Sequence, residues 1–409
     1  MSIPLPIPLI DTCQQLNENH WIILPPPSAP PNDLICCLDF LKQYDHNNAT
    51  FESYRREIER LLQWTWFIKQ KSLLALSRQD MEDYIEFCLD PPKSWIGLKR
   101  VARFVSVLGL RAPNPQWRPF VVSVSKLQHK MGLKPSLDDY QLSQKAIREI
   151  FTVLSSFYNY LVLCEKISMN PIALIKQKSK YIQKHQYQDR VMRLSDKQWQ
   201  SCLETVKIMA NQRPEHHERT LFIVSALYLL YLRVSELCAS DRWTPEMGHF
   251  YQDSASCWWF KTVGKGNKMR EIAVPDDMLL ALRRYRLSMQ LSPLPFVNEK
   301  IPLLSKETGK GPMTSSRHLR RLIQDCFDST IQQLRHQGCT TEADLFESAT
   351  VHWLRHTGIS DDINKRGRPV AHVRDDAGHS SSAITDRYND IDLLERHESA
   401  KHKKLMTPG

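Results

Sequence analysis

The sequence predicts a mainly α-helical protein whose second half carries one small antiparallel β-sheet. Three observations lead there. Apolar residues recur at helical spacing through most of the chain. One stretch, SCWWFKTVGKGNKMREIAVP at 256–275, reads instead as two short strands joined by a tight turn at Gly264-Lys265-Gly266-Asn267. A Lys- and Gln-rich segment at 176–193 separates two patterned regions and marks a domain boundary. With 409 residues, 42% of them hydrophobic, the chain can bury two ordinary cores.

The elements follow in order. Residues 1–32 carry eight prolines and few charges, so an extended and poorly ordered arm is expected. Helical patterning starts at Asp33 with DLICCLDFLKQY. In NATFESYRREIERLLQWTWFIKQ, Thr50 is the expected cap and Tyr54, Ile58, Leu61, Leu62 and Trp66 form the apolar stripe. Ser77 and Asp80 have capping-box spacing. A long helix is expected over 143–167, closing a helical unit at 33–175. After the linker, a second unit over 194–398 opens with Ser195 as N-cap. It continues through the apolar helix TLFIVSALYLLYLRVSELCAS and the strand pair. Helices in DDMLLALRRYRLSMQ, SSRHLRRLIQDCFDSTIQQL and HWLRHTGISDDINK come next, with a tail at 399–409.

Charge narrows the partner. Formal net charge is +10, which suits a polyanion. Residues 91–137 hold nine Lys or Arg and no Asp or Glu. Trp95, Trp117 and Phe120 lie among them, and such a one-signed stretch with aromatics reads as a nucleic-acid surface. Lys99, Arg100, Arg103, Arg118, Lys126 and Lys130 are its candidate contacts, joined by Lys176, Lys178 and Lys180 of the linker. Ten cysteines without a CxxC pair argue for reduced thiols in the cytoplasm, with neither disulfide framework nor metal site. The start, MSIPLPIPLI, lacks the basic region of a signal peptide. No 18-residue apolar run exists, so no membrane partner is expected.

The chemistry concentrates between Val351 and Asp390, with Arg233 about 120 residues upstream. Two arginines, Arg233 and Arg355, can hold two non-bridging oxygens of one phosphate, because a guanidinium fork matches them. Tyr388 supplies a nucleophile. Its phenol, with a free pKa of about 10, needs a proton acceptor or positive surroundings, and His352 with the arginines offers both. His379 can donate to the phosphate. Lys265, at the hairpin tip, is suited to protonate a departing 5′-oxygen, with Lys268 and Arg270 beside it. Each residue alone has a plainer reading. Arg233 fits an ion pair with Glu236, His352 a core histidine, Tyr388 a half-buried helical tyrosine, and Lys265 a solvent-facing charge.

Taken together, in this order and spacing, the residues resemble the tyrosine recombinase (phage integrase) family. The resemblance rests on Arg233 in LRVSEL, Lys265 in GKGNKMREIAVP, His352 and Arg355 in HWLRHTG, His379 in GHSS and Tyr388 in TDRY. It covers the second unit; the first resembles the family's core-binding domain in character and position only. It implies site-specific DNA cleavage and rejoining through a 3′-phosphotyrosine, without ATP, cofactor or metal. It also implies double-stranded recombination sites, a protomer that clamps the duplex, and four protomers acting through a Holliday junction. The tail from Ile391, with Leu393 and Leu394, would pack in cis or on a neighbouring protomer. The alternatives are a type IB-like topoisomerase and a DNA-binding accessory protein with a decayed site. The pattern departs from the family where Ala377 replaces a leucine-sized residue, and in the polar run holding Lys365, Arg366, Arg368, Arg374, Asp375 and Asp376.

Overall fold

The computed structural model describes residues 3–14, 29–124, 132–173, 175, 181–182, 191–264, 266–307, 309–388, 397 and 400–401. The chain divides into two compact units, Met1–Tyr187 and Gln188–Gly409.

Among the described residues, the first unit is built on four α-helices, α1 (Pro31–Lys42), α2 (Asn48–Trp64), α3 (Arg78–Leu89) and α4 (Gln144–Leu163). Asn47, not Thr50, caps α2: its side chain accepts from the Thr50 N–H. The capping box at Ser77 and Asp80 is present as expected. Phe51, Ile58, Leu61, Leu62, Ile147, Phe151, Leu154 and Phe157 meet in the core.

Two departures from expectation stand out here. Residues 3–11 are extended but packed rather than loose. The Ile7 N–H donates to Gln63 (3.0 Å), Ile10 is buried, and Asp11 receives two bonds from Arg111 (2.6 and 3.0 Å). These contacts give partners to polar residues on the buried face of α2, where Glu59 and Gln63 would otherwise be costly. The unit also has two strand pairs beyond the one expected sheet. β1 (Ile96–Gly97) runs parallel to β4 (Phe120–Val121), and β2 (Phe104–Val107) pairs antiparallel with β3 (Leu110–Pro113). They are only two to four residues long, too short to leave a readable alternation.

The second unit starts with α5 (Asp196–Gln212), capped by Ser195 in a box with Gln198. α6 (Pro214–Leu229) is buried continuously from Thr220 to Tyr228 and forms its centre. β5 (Phe250–Gln252), β6 (Trp258–Val263) and β7 (Met269–Ala273) make an antiparallel sheet in that order. The β6–β7 pair was expected; three-residue β5 was not. Helices α7 (Asp276–Ser288), α8 (Ser316–His336), α9 (Thr340–Phe346), α10 (His352–Asn364), α11 (Val370–Ala377) and α12 (Ser382–Asp386) complete it. α8 buries Leu319, Ile323, Cys326, Phe327, Thr330 and Leu334, a stripe at helical spacing.

α10 can lie close on α6 because Gly358 has no side chain. A Cβ there would sit 2.0 Å from the Tyr228 carbonyl oxygen. Gly358→Ala must therefore push the helices apart, at a cost of about 1–3 kcal/mol. A thermal midpoint several degrees lower is the expected result in a melting scan.

Candidate active site

Arg233 leaves α6 through a strained turn. Tyr231 holds a positive φ of 50°, which a bulky residue adopts only under constraint. Its carbonyl accepts from the Arg355 guanidinium and its phenol donates to Asp362, so both ends of the residue are tied. Arg233 then caps the 3₁₀ turn Val234–Leu237.

Glu236 organises the arginines. It is 4% exposed and takes the Arg233 guanidinium at 2.9 Å. Arg270 of β7 grips both its oxygens, at 3.1 and 2.7 Å. Burial would raise the Glu236 carboxyl, yet Arg270 and Arg233 hold it below its ordinary value. The expected ion pair of Arg233 is thus real, and Arg233 still keeps 27% of its side chain exposed. Arg270 is not the spare proton donor that its position suggested, since its Nε also donates to the Asp376 carbonyl (3.0 Å). Glu236→Ala leaves two largely buried cations unpaired and is expected to destabilise the unit by about 3–5 kcal/mol, measured as a lower denaturant midpoint.

Gly264 ends β6 against this group. A Cβ at Gly264 would lie 2.6 Å from Arg270 Nη1 and 3.7 Å from Arg233 Nη1. Lys265 lies outside the described residues, as do Lys126, Lys130, Lys176, Lys178 and Lys180 and the tail leucines.

α10 presents His352, Arg355 and His356 at i, i+3 and i+4, one face of a helix. Arg355 is 2% exposed and donates to the Tyr231 and Ala377 carbonyls, the latter at 2.6 Å. Burial, and then Arg233, push its pKa down to about 9, so it remains a cation at neutral pH. Its Nη2 also lies 3.2 Å from His379 Nε2. A guanidinium can only donate, so Nε2 accepts and His379 carries its proton on Nδ1, which donates to Thr385 Oγ1 (2.9 Å). In this state His379 has no N–H left for a phosphate, contrary to the role expected of it. Burial and the arginines push its pKa down to about 4.

Tyr388 is 5% exposed, with its ring stacked at 5.8 Å on His379. The Asn364 side chain donates to its carbonyl (2.8 Å). Its hydroxyl lies 2.5 Å from Nδ1 of His356, not of His352. His352 is exposed and meets His356 edge-on, ring centroids 4.4 Å apart. The expected phenol partner is therefore corrected by one helical turn. The signal for His356 was present in HWLRHTG, where it follows Arg355 directly. Burial leaves the phenol above its ordinary pKa, although Arg355, Arg387 and Arg233 act the other way.

The polar run that departs from the family pattern buttresses these residues. Arg368 pairs with Asp362 (2.9 Å) and Asp376 (2.7 Å) and donates to the Tyr231 hydroxyl (2.9 Å). Asp376 and Ala377 supply the carbonyls that receive Arg270 and Arg355. Gly378 follows at φ 63°, and a Cβ there would touch Arg270 Cδ at 3.0 Å. The small Ala377 is buried with Tyr231, Ile359, Val373 and Tyr388.

The basic stretch of the first unit is less one-signed in space than in sequence. Lys99 and Arg100 are exposed. Arg103, however, pairs with buried Glu59 and stacks its guanidinium on Trp117 at 4.7 Å. Arg111 pairs with Asp11, and Lys93 with Asp138 (2.6 Å). Arg118 donates to the Pro115 and Trp117 carbonyls. Trp95, Trp117 and Phe120 are buried, so the aromatics serve the interior rather than a stacking surface. The acids that neutralise the stretch come from outside it, which a local count cannot register.

No protein-family model matches the chain. Among curated proteins, tyrosine recombinase XerC of Chlorobaculum parvum is 23% identical over 284 residues, covering 67% of this chain and 76% of that protein. XerC of Bacillus licheniformis is 24% identical over 309 residues, covering 74% and 86%. Over two thirds of its length and more, the chain is similar to tyrosine recombinases. Its fold agrees. The XerH site-specific recombinase, in a post-cleavage complex with a palindromic difH substrate, superposes with a TM-score of 0.55 at 13% identity, covering 95% of this chain and 93% of that one. The pre-cleavage XerH complex superposes with a TM-score of 0.51 over the same shares. Among the described residues, no helix is long and apolar enough to cross a membrane.

Proposed function

We propose that this chain is a site-specific DNA recombinase, of the integrase or transposon-associated type, that cleaves and rejoins strands through a 3′-phosphotyrosine. The observation that carries the reading is the convergence of a nearly buried tyrosine hydroxyl, from the turn after α12, with an imidazole acceptor and a buried arginine side by side on α10.

In this mechanism Arg233 and Arg355 hold the non-bridging oxygens and offset the charge that develops as phosphorus becomes five-coordinate. Their geometry is prepaid: Glu236 fixes one, and the Tyr231 and Ala377 carbonyls fix the other. The Tyr388 oxygen bonds to phosphorus as the bond to the 5′-oxygen breaks. Lys265 gives that oxygen its proton. His352, exposed at the start of α10, faces the incoming phosphate, and His379 steadies Arg355. The free 5′-hydroxyl of a partner strand then attacks the phosphotyrosine. One phosphoester replaces another, so the sequence of steps consumes no ATP.

The domains follow from this reading: a Pro-rich arm at 1–32, a core-binding domain at 33–175, a basic linker at 176–193 that crosses the phosphate backbone, a catalytic domain at 194–398 and a tail at 399–409. Exposed Lys99 and Arg100 are the favoured backbone contacts among the described basic residues. Four protomers would assemble on two sites.

A pool of nicked duplexes of randomised sequence provides the test. Cleavage close to a nick releases the short strand and traps the protein on a 3′ end. Adducts that survive detergent, and that share a sequence on recovery, are expected. Plasmid relaxation without any shared sequence would instead mark a topoisomerase.

A further inference from the structure

We propose that His356 is a catalytic residue of this site, the acceptor of the Tyr388 proton during strand cleavage and its donor during rejoining. The proposal rests on the recombinase reading above.

The groups around the phenol settle the choice by their occupied positions. His379 uses Nε2 to accept from Arg355 and Nδ1 to donate to Thr385, so neither nitrogen is open to Tyr388. Glu236 is committed to Arg233 and Arg270. Asp361 and Asp362 take the phenols of Tyr228 and Tyr231, with Lys365, Arg366 and Arg368 as further partners. His352 meets His356 rather than the tyrosine. Among the described side chains, His356 Nδ1 lies within hydrogen-bond distance of the nucleophilic oxygen, at 2.5 Å. A phenol donates there and the ring nitrogen accepts, which places the ring's own proton on Nε2.

The charges facing this ring favour that neutral state. His356 is half-buried among His352, Arg355, His379 and Arg387, and burial first, then these groups, push its pKa down to about 3. At neutral pH the lone pair is thus available. A bound phosphodiester brings negative charge beside the ring and raises its proton affinity as the reaction proceeds.

The proton balance is closed. During cleavage the Oη–phosphorus bond forms, the phosphorus–O5′ bond breaks, the Oη proton moves to His356 Nδ1, and O5′ takes a proton from Lys265. During rejoining each transfer reverses, so the imidazolium protonates the departing tyrosine oxygen and the incoming 5′-hydroxyl returns its proton to Lys265.

Single-turnover adduct formation on the nicked duplexes, followed from pH 6 to 9, tests this. The parent protein is expected to be nearly flat over that range, with Tyr388→Phe giving no adduct. His356→Leu should bind DNA normally, react about 100-fold more slowly at pH 7, and speed up about tenfold per pH unit as hydroxide takes over the proton. His356→Asn puts an amide oxygen near the Nδ1 position. It can hold the hydroxyl but cannot carry the proton, so the same pH slope is expected. If His356→Leu matches the parent, or if His356→Asn restores the flat profile and full rate, the proton-transfer role is wrong while the recombinase reading stands. A parent protein that forms no adduct overturns both.

Discussion

Tyr388→Phe is expected to bind its DNA site as tightly as the parent and to form no covalent adduct at any time. The substitution removes one oxygen from a side chain that is already 5% exposed and stacked on His379. Its ring packing among Tyr231, Ile359, Val373 and Ala377 is kept. The lost bond to His356 is one hydrogen bond, worth about 1 kcal/mol, so the unit should remain folded. The chemical step, by contrast, loses its nucleophile outright. Filter binding and detergent-resistant trapping, run on one preparation, separate the two effects.

Arg355→Lys is the second large effect. Lysine keeps the positive charge but not the planar fork. In the structure that fork spans three acceptors: the Tyr231 carbonyl, the Ala377 carbonyl and His379 Nε2. An ammonium group cannot reach all three in one plane and also face a phosphate. Cleavage is expected to fall by about 10²–10³-fold, the cost typical of losing one donor to a developing oxyanion. DNA affinity should change far less, because a single phosphate contact contributes little to the total electrostatic binding. Comparable losses in rate and affinity would show that Arg355 serves binding rather than the transition state.

Much of this site is legible in the chain itself, for a physical reason. HWLRHTG puts His352 and Arg355 on one helical face, and the Gly-His pair marks a left-handed cap followed by His379. Such local spacings survive without knowledge of tertiary contacts. What escaped were choices made by packing. Whether His352 or His356 meets Tyr388 depends on how α10 packs on α6, and Gly358 lets the two helices approach closely at Tyr228. The polar run before His379 looks like a defect in the pattern, yet Arg368 closes it with Asp362 and Asp376, partners on two different helices. The first unit shows the same limit. Arg103 and Arg111 read as free cations only until Glu59 and Asp11 are found opposite them. Residues 3–11 are not loose because their backbone amides give partners to Gln63 and Glu59 on the buried face of α2, while Asp11 pairs with Arg111 of β3.

The most direct test is to identify the bond itself. Trapped protein–DNA adducts, digested with protease and nuclease and analysed by mass spectrometry, should yield a single peptide in which Tyr388 carries a 3′-linked nucleotide. Attachment through any other residue, or to a 5′ end, would contradict the mechanism.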